Sequence, residues 1–432
     1  MLIKNFDSLT KSDARKAILE IAEAGLKAIN TELAIKKSVK VVGDKLIVEK
    51  EEFSLKKNQK IILIGVGKCA LDGISALQNI LDYRVTKGIA LDVRKGYISS
   101  RVKVLTGTHP LPTKTNVDAS KKIVELLSKL DEDDLVIFLI SGGGSTLLCL
   151  PDEMSCQAEA AILDNLIHSG VDIVHVNTVR KHLSLARGGF LAKYAYPANV
   201  LSLIFSDIPT NDIEFIASGP TVKDNTTIQD AAKILAEFDV LEKCGLNNCG
   251  LTETPKEDKY FKKVRNILLV SNKVALFAMA EKSKELGYES EICSTHLTGE
   301  AQSVGNNLAV ELHQSSFGKV FLYGGETTVN IKGQGKGGRN QELVLGALSE
   351  VKNDEIILSI ASDGRDNTDH AGAICDIITK KNAEINKVDS LSYLKNNNSY
   401  NFFEKTGDYI LTGNTGSNVS DLVIALKNKV AT

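Results

Sequence analysis

Short apolar runs alternate with amphipathic stretches along the first half of the chain. Four runs have the length and composition of buried strands: residues 61–64, 88–91, 135–140 and 200–205. In other stretches apolar residues recur every three or four positions, which predicts helices: 9–30, 119–130 and 157–168. Strands that alternate with helices form βαβ units, so the pattern predicts an α/β fold with a doubly wound, mostly parallel sheet.

A polar, turn-rich segment over 241–261 interrupts this alternation and has the composition of a linker or a surface excursion. A second series of strands and helices follows it and opens with a strand over 266–270. We therefore place a boundary near residue 250. The prediction is two α/β domains, 1–250 and 251–432.

The composition is that of a globular protein and excludes several classes. Of the 432 residues, 43% are apolar and 25% are charged, which excludes a mostly disordered chain. The 52 basic and 54 acidic residues leave a net charge of −2, so we expect no nucleic-acid or membrane partner. No run approaches the ~20 apolar residues of a membrane helix. The seven cysteines are scattered and the N-terminus lacks a secretory signal, so we expect reduced thiols and a cytoplasmic protein.

The first candidate site is the sequence Gly65-Val-Gly-Lys-Cys-Ala70, between a predicted strand and a predicted helix. Its GxGxxA spacing matches a dinucleotide fingerprint. Asp92, at the end of the next predicted strand, lies about as far along the chain from the glycines as the acidic residue that binds the ribose in such sites. Lys68 favours another ligand, because a cation beside the amides of a helix N-terminus suits a transferring phosphoryl group. The motif therefore leaves three interpretations open: a dinucleotide site, a phosphate site at Gly67 and Lys68, or a turn with a surface lysine.

The second candidate is a run of small residues directly after the buried strand 135–140. Its members are Ser141, Gly142, Gly143, Gly144 and Ser145. Glycine amides can approach an anion closely, and the two hydroxyls add donors. A tight turn explains one glycine but not three in a row, so we interpret this run as a phosphate-binding loop.

Arg180 and Asp207 are further candidates in the first domain. Arg180 lies among basic residues at helical spacing, which is typical of an anion-binding helix or of a solvated helix face. Asp207 ends a strand, where doubly wound folds place functional side chains. Its carboxylate could be a general base, a metal ligand or the N-cap of the following turn.

The densest cluster of glycines and charges lies in the second domain. Its candidate ligand-binding residues are Glu326, Lys336, Gly337, Gly338, Arg339 and Asn340. Most of them directly precede a helix predicted over 341–351. Amides, the helix dipole and a planar guanidinium would therefore meet at one point, as a multiply charged phosphate requires. A flexible hairpin loop is the alternative.

Three aspartates recur at every third position after the predicted strand 355–361. They are Asp363, Asp366 and Asp369. Clustered oxygen ligands near phosphate-binding loops indicate Mg²⁺, with Asp363 and Asp366 as the expected ligands. For each aspartate a solvated acidic loop is the alternative.

Together these motifs resemble those of the glycerate 2-kinase family, whose C-terminal part is called the MOFRL domain. The segments that carry the resemblance are Gly65-Val-Gly-Lys-Cys-Ala70, Leu139-Ile-Ser-Gly-Gly-Gly-Ser145, Val179-Arg-Lys-His-Leu-Ser184, Ser206-Asp-Ile-Pro209, Ala217-Ser-Gly-Pro-Thr221, Gly324-Gly-Glu-Thr-Thr328, Gly337-Gly-Arg-Asn-Gln-Glu342, Ser362-Asp-Gly364 and Thr415-Gly-Ser-Asn418. The resemblance implies a Rossmann-like first domain, a smaller mixed α/β second domain of MOFRL type, and an active site in the cleft between them. It also implies phosphorylation of the 2-hydroxyl of D-glycerate, with ATP and Mg²⁺ or another divalent cation.

By position, Lys68 and Arg339 are similar to the principal charged active-site residues of that family, and Asp207 to its acidic cleft residue. Which loop holds the nucleotide and which holds glycerate stays open. So does the oligomeric state, for which a homodimer is one expectation.

Two other functions remain as alternatives. A hydroxypyruvate reductase using NADH or NADPH would explain GxGxxA and Asp92, but hydride transfer does not need the other glycine-and-cation clusters. A regulator that binds a phosphometabolite would need no catalysis, but the chain has no basic recognition helix.

Overall fold

The protein consists of two compact units. The computed structural model describes residues 1–208 and 211–429. Residues 34–206 and 211–269 form the first, which we call the parallel-sheet unit. Residues 1–33, 207–208 and 270–429 form the second, the mixed-sheet unit. That the active site lies between the two stays a prediction.

Strands and helices alternate along most of the described chain. The strands are β1 (Val39–Val42), β2 (Lys45–Val48), β3 (Glu51–Ser54), β4 (Ile61–Val66), β5 (Val85–Asp92), β6 (Val102–Thr106), β7 (Leu135–Ile140), β8 (Asn199–Phe205), β9 (Val264–Val270), β10 (Glu289–Leu297), β11 (Lys319–Gly325), β12 (Glu355–Ala361), β13 (Gly372–Cys375), β14 (Tyr409–Ile410) and β15 (Asp421–Lys427). The helices are α1 (Phe6–Leu9), α2 (Asp13–Ala28), α3 (Thr31–Ser38), α4 (Ala70–Leu81), α5 (Lys114–Leu127), α6 (Gly144–Leu147), α7 (Cys156–His168), α8 (Ile173–His182), α9 (Phe190–Ala195), α10 (Ile228–Glu237), α11 (Val240–Lys243), α12 (Asn272–Glu285), α13 (Ala301–Gln314), α14 (Arg339–Ala347), α15 (Ile377–Ile385), α16 (Ser390–Lys395) and α17 (Ser399–Thr406).

The parallel-sheet unit contains a six-stranded sheet in the order β6-β5-β4-β7-β8-β9. β4 pairs in parallel with β5 and β7, and the pairs β5–β6 and β7–β8 are parallel as well. Every residue of β4 and β7 is buried, as expected for central strands covered by helices on both faces. The predicted doubly wound α/β fold is confirmed. The strand order reverses between β4 and β7, which is where ligands bind in folds of this kind.

The mixed-sheet unit contains a second six-stranded sheet, in the order β10-β11-β15-β12-β13-β14. β10 and β11 are parallel, whereas β15 enters antiparallel between β11 and β12. The first residue of β15, Asp421, consequently lies opposite Gly325 on one side and Ala361 on the other. The fold thus brings three strand ends together at Asp421. A separate antiparallel sheet is formed by β1, β2 and β3.

These units differ from the predicted bounds 1–250 and 251–432 in three segments of the described chain: 1–33, 207–208 and 251–269. β9, predicted as the first strand of the second domain, is an edge strand of the parallel sheet. Helix α2 belongs to the mixed-sheet unit. Its Arg15 is fully buried and forms ion pairs with Asp376 at 2.6 Å and Asp408 at 2.7 Å. These ion pairs join residues more than 350 positions apart. The composition of the segment 241–261, on which the predicted boundary was based, carries no information about such distant contacts.

No disulfide joins the seven cysteines, all of which lie in the described part of the chain. Across residues 1–208 and 211–429, every helix is too short or too polar to cross a membrane.

Candidate active site

The loops that follow β4 and β7 lie side by side at the reversal of strand order. The backbone N–H of Lys68 donates to the carbonyl oxygen of Gly142 at 3.0 Å, and that of Cys69 donates to Ser141 Oγ at 3.2 Å. Gly67 permits this approach, because its φ is +122° and a Cβ there would lie 2.1 Å from Ser141 Oγ. Gly67 and Ser141 therefore join the two loops, and a ligand-binding role for either stays a prediction.

The side chain of Lys68 runs along the loop after β7. A Cβ at Gly143 would lie 3.2 Å from Lys68 Cγ and 3.3 Å from its Cε. Within the described chain the ammonium group of Lys68 has no hydrogen-bond or ion-pair partner, and the N–H groups of Gly142 and Gly143 have no acceptor. A cation and two unpaired amides on adjacent loops favour an anionic ligand.

His109 belongs to the same cluster, although no sequence motif singled it out. Its Cδ2 would lie 3.4 Å from a Cβ at Gly143, beside the path of Lys68. Burial and the charge of Lys68 lower the pKa of His109, so the imidazole is neutral at pH 7. A signal was present in the sequence: His109 follows closely on β6, which ends at Thr106, and so stands at the carboxyl edge of the sheet.

Ser145 and Arg180 are connected to this region through the turn at 216–218. That turn contacts both α6, which carries Ser145, and α8, which carries Arg180. The hydroxyls of Ser145 and Ser218 are 3.0 Å apart, and Gly144 packs on the same turn. Burial lowers the pKa of Arg180 to about 10, so it remains charged at pH 7. It forms no ion pair within 4 Å among the described residues, although the charge of Glu159 acts on it, so an anion-binding role for Arg180 stays a prediction.

Asp92 does not fit the role that a dinucleotide fingerprint would give it. Its carboxylate is fully buried. It accepts the N–H of Leu71 at 2.9 Å and forms an ion pair with Arg94 at 3.1 Å. These contacts anchor the start of α4 and leave the carboxylate unavailable to a ribose hydroxyl.

Arg339, the first residue of α14, is held by two carboxylates. Its Nε and Nη2 donate to the two oxygens of Asp421, and its Nη2 also lies 3.0 Å from Glu326 Oε1. Burial raises the pKa of Asp421 to about 7, and Arg339 opposes that rise. Arg339 and Glu326 were candidates from the sequence, whereas Asp421 was missed because the first residue of a strand carries no motif of its own.

The N-terminus of α14 is already occupied by the buried carboxylate of Asp366. Its oxygens accept the backbone N–H groups of Asn340 at 3.0 Å and Gln341 at 2.8 Å, and the side-chain amides of both residues as well. A Cβ at Gly338 would lie 2.0 Å from the backbone oxygen of Asp366, so this position requires glycine for packing. Asp366 supplies the negative charge at this helix end that was expected from a bound phosphate. The N–H of Asn340 is therefore taken by Asp366, whereas those of Gly337 and Gly338 have no acceptor in residues 1–208 and 211–429, so phosphate binding by this turn stays a prediction.

The glycine-rich segment before α14 packs against the loop 396–398. Five consecutive backbone N–H groups, those of residues 332–336, donate to oxygens of this loop. A Cβ at Gly333 would lie 2.4 Å from Asn396 Cα, and one at Gly335 would lie 2.4 Å from the Asn396 oxygen. A Cβ at Gly337 would lie 2.2 Å from Ser399 Oγ. Close packing explains these glycines, and among the candidate residues the N–H of Lys336 bonds to Asn398 and is not open to a phosphate.

A cavity of about 730 Å³ lies beside Arg339 in the mixed-sheet unit. Its lining includes Thr327, Ile331, Lys336, Arg339, Glu342 and Asp421. The ammonium of Lys336 lies 3.6 Å from the centre of the Tyr400 ring, a cation–π contact that holds it at the cavity wall. Burial raises the pKa of Glu342 to about 7, while a hydrogen bond from Asn397 opposes the rise. Among the lining groups, Arg339 is thus paired with carboxylates, whereas Lys336 contacts an aromatic ring.

The expected metal ligands do not fit a divalent cation. Asp366 is saturated by N–H donors, and Asp363 Oδ1 accepts the N–H of Arg365 at 2.9 Å. No cluster of three His, Cys, Asp or Glu residues suited to a metal ion occurs in 1–208 or 211–429. Asp207, the other candidate carboxylate, is placed by its backbone: its carbonyl oxygen accepts a hydrogen bond from Ser420 Oγ at 2.9 Å. Pro209 of the Ser206-Asp-Ile-Pro209 motif lies outside the described residues.

Known proteins resemble this chain over nearly its whole length. One family model, described as a domain of unknown function (DUF4147), matches residues 17–247, and the model of the MOFRL family matches residues 319–421. A glycerate 2-kinase of Pyrococcus horikoshii is 38% identical over 96% of this chain and 97% of its own. A D-glycerate 2-kinase of Thermotoga maritima is 36% identical over 91% of this chain and 96% of its own.

The similarity extends to three dimensions. The crystal structure of a glycerate kinase from Thermotoga maritima superposes with a TM-score of 0.84 at 32% identity, covering 95% of this chain and 99% of that one. Sequence and fold therefore agree over both units. The chain belongs to the glycerate kinase family.

Proposed function

We propose that this protein is an ATP-dependent kinase that phosphorylates D-glycerate at its 2-hydroxyl and yields 2-phosphoglycerate and ADP. The observation that carries the proposal is the 38% identity to a glycerate 2-kinase across 96% of the chain. The unpaired cation of Lys68 beside free glycine amides supports it, because phosphoryl transfer depends on positioning and charge stabilisation more than on covalent chemistry.

In the proposed reaction, the 2-hydroxyl oxygen forms a bond to the γ-phosphorus of ATP. The bond from that phosphorus to the β–γ bridging oxygen breaks, and ADP leaves with that oxygen. The hydroxyl proton passes to a base, for which Asp207 is the candidate from the sequence. Lys68 and Arg339 neutralise the transferring phosphoryl group and the glycerate carboxylate. Kinetics of variants at Lys68 and at Arg339 would show which of the two anions each residue contacts.

The loop after β7 contributes donors to the same charge. The N–H groups of Gly142 and Gly143 have no acceptor among the described residues and are therefore open to an anionic oxygen. Arg180, which forms no ion pair within 4 Å among the described residues, adds a second cation in the same unit. Because Asp363 and Asp366 do not fit a divalent cation, no step is assigned to a metal ion held by them, and Mg²⁺ enters the proposal only as the counter-ion of ATP.

A hydroxypyruvate reductase is the main alternative, and the contacts of Asp92 speak against it. A dinucleotide site of the fingerprint type needs a carboxylate that is open to the ribose. Asp92 is instead buried and bonded to Leu71 and Arg94. Opening it would break an ion pair and leave the start of α4 without its acceptor.

One assay separates the candidates. The purified protein is given D-glycerate and Mg-ATP while ADP formation is followed, and in a second reaction hydroxypyruvate with NADH or NADPH while absorbance is followed. We expect turnover in the first reaction alone, with 2-phosphoglycerate as the product by NMR. A 3-phosphoglycerate product would overturn the assigned position of transfer. Turnover in the second reaction alone would indicate the reductase, and turnover in neither would favour a binding protein.

A further inference from the structure

Asp421 makes a two-point contact with one edge of the Arg339 guanidinium. Arg339 Nε donates to Asp421 Oδ2, and Nη2 donates to Oδ1 at 3.2 Å. Two parallel N–H···O bonds fix the plane of a guanidinium as well as its position. The remaining nitrogen, Nη1, has no partner among the described residues. Because Nη2 also lies 3.0 Å from Glu326 Oε1, Nη1 is the nitrogen of Arg339 that the two carboxylates leave open to a ligand.

The fold holds Asp421 in a rigid position. As the first residue of β15 it is flanked by Gly325 on β11 and Ala361 on β12. Only 4% of its surface is exposed, and it also accepts a hydrogen bond from the side chain of Asn340. Arg339 itself is a long side chain that would otherwise sample many rotamers. A rigid acceptor on a central strand restricts it to one.

Helix capping does not account for the carboxylate of Asp421. The N-terminus of α14 already has its acceptor in Asp366, so Asp421 is not needed as a helix cap. Burial of a carboxylate is unfavourable, which is why the pKa of Asp421 is raised to about 7. An apolar residue at the start of β15 would avoid that free-energy cost. The ion pair with Arg339 is therefore the interaction that accounts for a carboxylate at this position.

We propose that Asp421 is a positioning residue, which fixes the guanidinium of Arg339 in the orientation required for phosphoryl transfer. This inference rests on the proposed kinase activity and adds to it a residue that none of the sequence motifs includes. Asp421 acts through Arg339 and makes no contact of its own with the substrates.

A double-mutant cycle tests the proposal. Asp421→Asn keeps the volume of the side chain and removes its charge and one acceptor. In the wild-type background we expect kcat/KM for D-glycerate to fall about 100-fold, because a guanidinium misplaced by 1 Å costs about that much. In the Arg339→Ala background the same substitution should change kcat/KM by less than about twofold, since no guanidinium remains to be positioned. Equal losses in both backgrounds would overturn the proposal.

A second experiment leaves Asp421 intact and so covers the case in which Asp421→Asn is insoluble. The activity of Arg339→Ala is measured with added guanidinium chloride and, separately, with methylammonium chloride. Guanidinium alone matches the two-point acceptor, so we expect it to restore activity at least tenfold more than methylammonium. Equal rescue by both cations, or rescue by neither, would overturn the proposal.

A crystal structure of Asp421→Asn gives a readout that does not need activity. Displacement of the Arg339 guanidinium from its wild-type position is the expected result, and an unchanged guanidinium would overturn the inference. If the wild-type protein does not phosphorylate D-glycerate, the proposed function fails, and this structure still decides the role of Asp421. If the wild type is active and the cycle is additive, only the role of Asp421 fails.

Discussion

Asn397 donates a hydrogen bond from Nδ2 to Glu342 Oε1 at 2.9 Å, and both side chains are buried. Through its Oδ1 the same residue accepts the backbone N–H groups of Lys332 at 2.7 Å and Gly333 at 2.9 Å. One asparagine thus connects helix α14 to the glycine-rich segment that precedes it. Since α14 begins at Arg339, this contact helps to set the position of a proposed active-site residue.

Replacing this asparagine should destabilise the protein much more than replacing its neighbour. Asn397→Ala removes four side-chain hydrogen bonds, to Glu342, Lys332, Gly333 and Asn330, each of which contributes about 1 kcal/mol. We expect the free energy of unfolding in urea to fall by about 4 kcal/mol. Asn396→Ala is the matched control, because the exposed Asn396 side chain accepts one hydrogen bond, from the N–H of Gln334. Equal losses from the two substitutions would contradict this account of the loop.

Glu342 should make stability depend on pH in a defined direction. Its pKa is raised from 4.5 to about 7, so the native state binds the proton more tightly than the unfolded chain does. The stabilisation is complete below about pH 4.5 and is lost as the pH rises to 7. Wild type should therefore lose about 3 kcal/mol relative to Glu342→Gln between pH 4.5 and 7.5. Urea unfolding of both proteins at several pH values measures this difference, and a difference that does not vary with pH would refute the assignment.

A methyl group at position 338 should disturb the start of α14. A Cβ there would lie 2.0 Å from the backbone oxygen of Asp366 and 2.2 Å from its Cγ. Overpacking of this kind costs about 1–3 kcal/mol, and displacement of the adjacent Arg339 should reduce kinase activity as well. Gly43→Ala is the control, since nothing lies within 4 Å of its Cβ and only the positive φ of 58° opposes the substitution. We expect it to lower the unfolding free energy by about 1 kcal/mol without affecting kcat/KM.

Lys68 should be essential for activity and unimportant for stability. Its ammonium has no partner within 1–208 and 211–429, so Lys68→Ala breaks no hydrogen bond or ion pair of the folded state. We expect an unfolding free energy within about 0.5 kcal/mol of wild type. The kcat/KM with D-glycerate and Mg-ATP should fall at least ~100-fold, as for loss of a group that stabilises transition-state charge. Lys57→Ala, at an exposed position, should leave both values unchanged. A Lys68→Ala enzyme within threefold of wild type would show that the charge has no part in the reaction.

The sequence was most informative where a local pattern is sufficient. The apolar run 135–140 predicted β7 with its exact bounds, because a fully buried strand of a parallel sheet has no polar face to obscure it. The position of Lys68 directly after a buried strand, with Gly143 after another, predicted that both would stand at the carboxyl edge of the sheet. The register of β4 and β7 then brings them into contact.

The meaning of the glycines could not be obtained from the sequence. A glycine that lets an anion approach and a glycine that lets another backbone approach look the same along the chain. Gly143 lies against Lys68 beside unpaired amides, whereas Gly333 lies against Asn396 and Gly338 against Asp366. Asn396 is 63 positions from Gly333 and Asp366 is 28 positions from Gly338, so neither partner belongs to the motif that contains the glycine.

The amino-acid sequence by itself determined the α/β class, the alternating elements, the family resemblance and most of the charged candidates, because hydrophobic periodicity and short motifs are local properties. Only the tertiary structure decided that α2 packs in the mixed-sheet unit, that β9 completes the parallel sheet, and that Asp366 fills a helix end expected to hold phosphate. It also decided that Asp421 meets Arg339. Each of these contacts depends on which distant segments become neighbours when apolar surface is buried. The complete sequence determines that arrangement, so no local pattern reveals it.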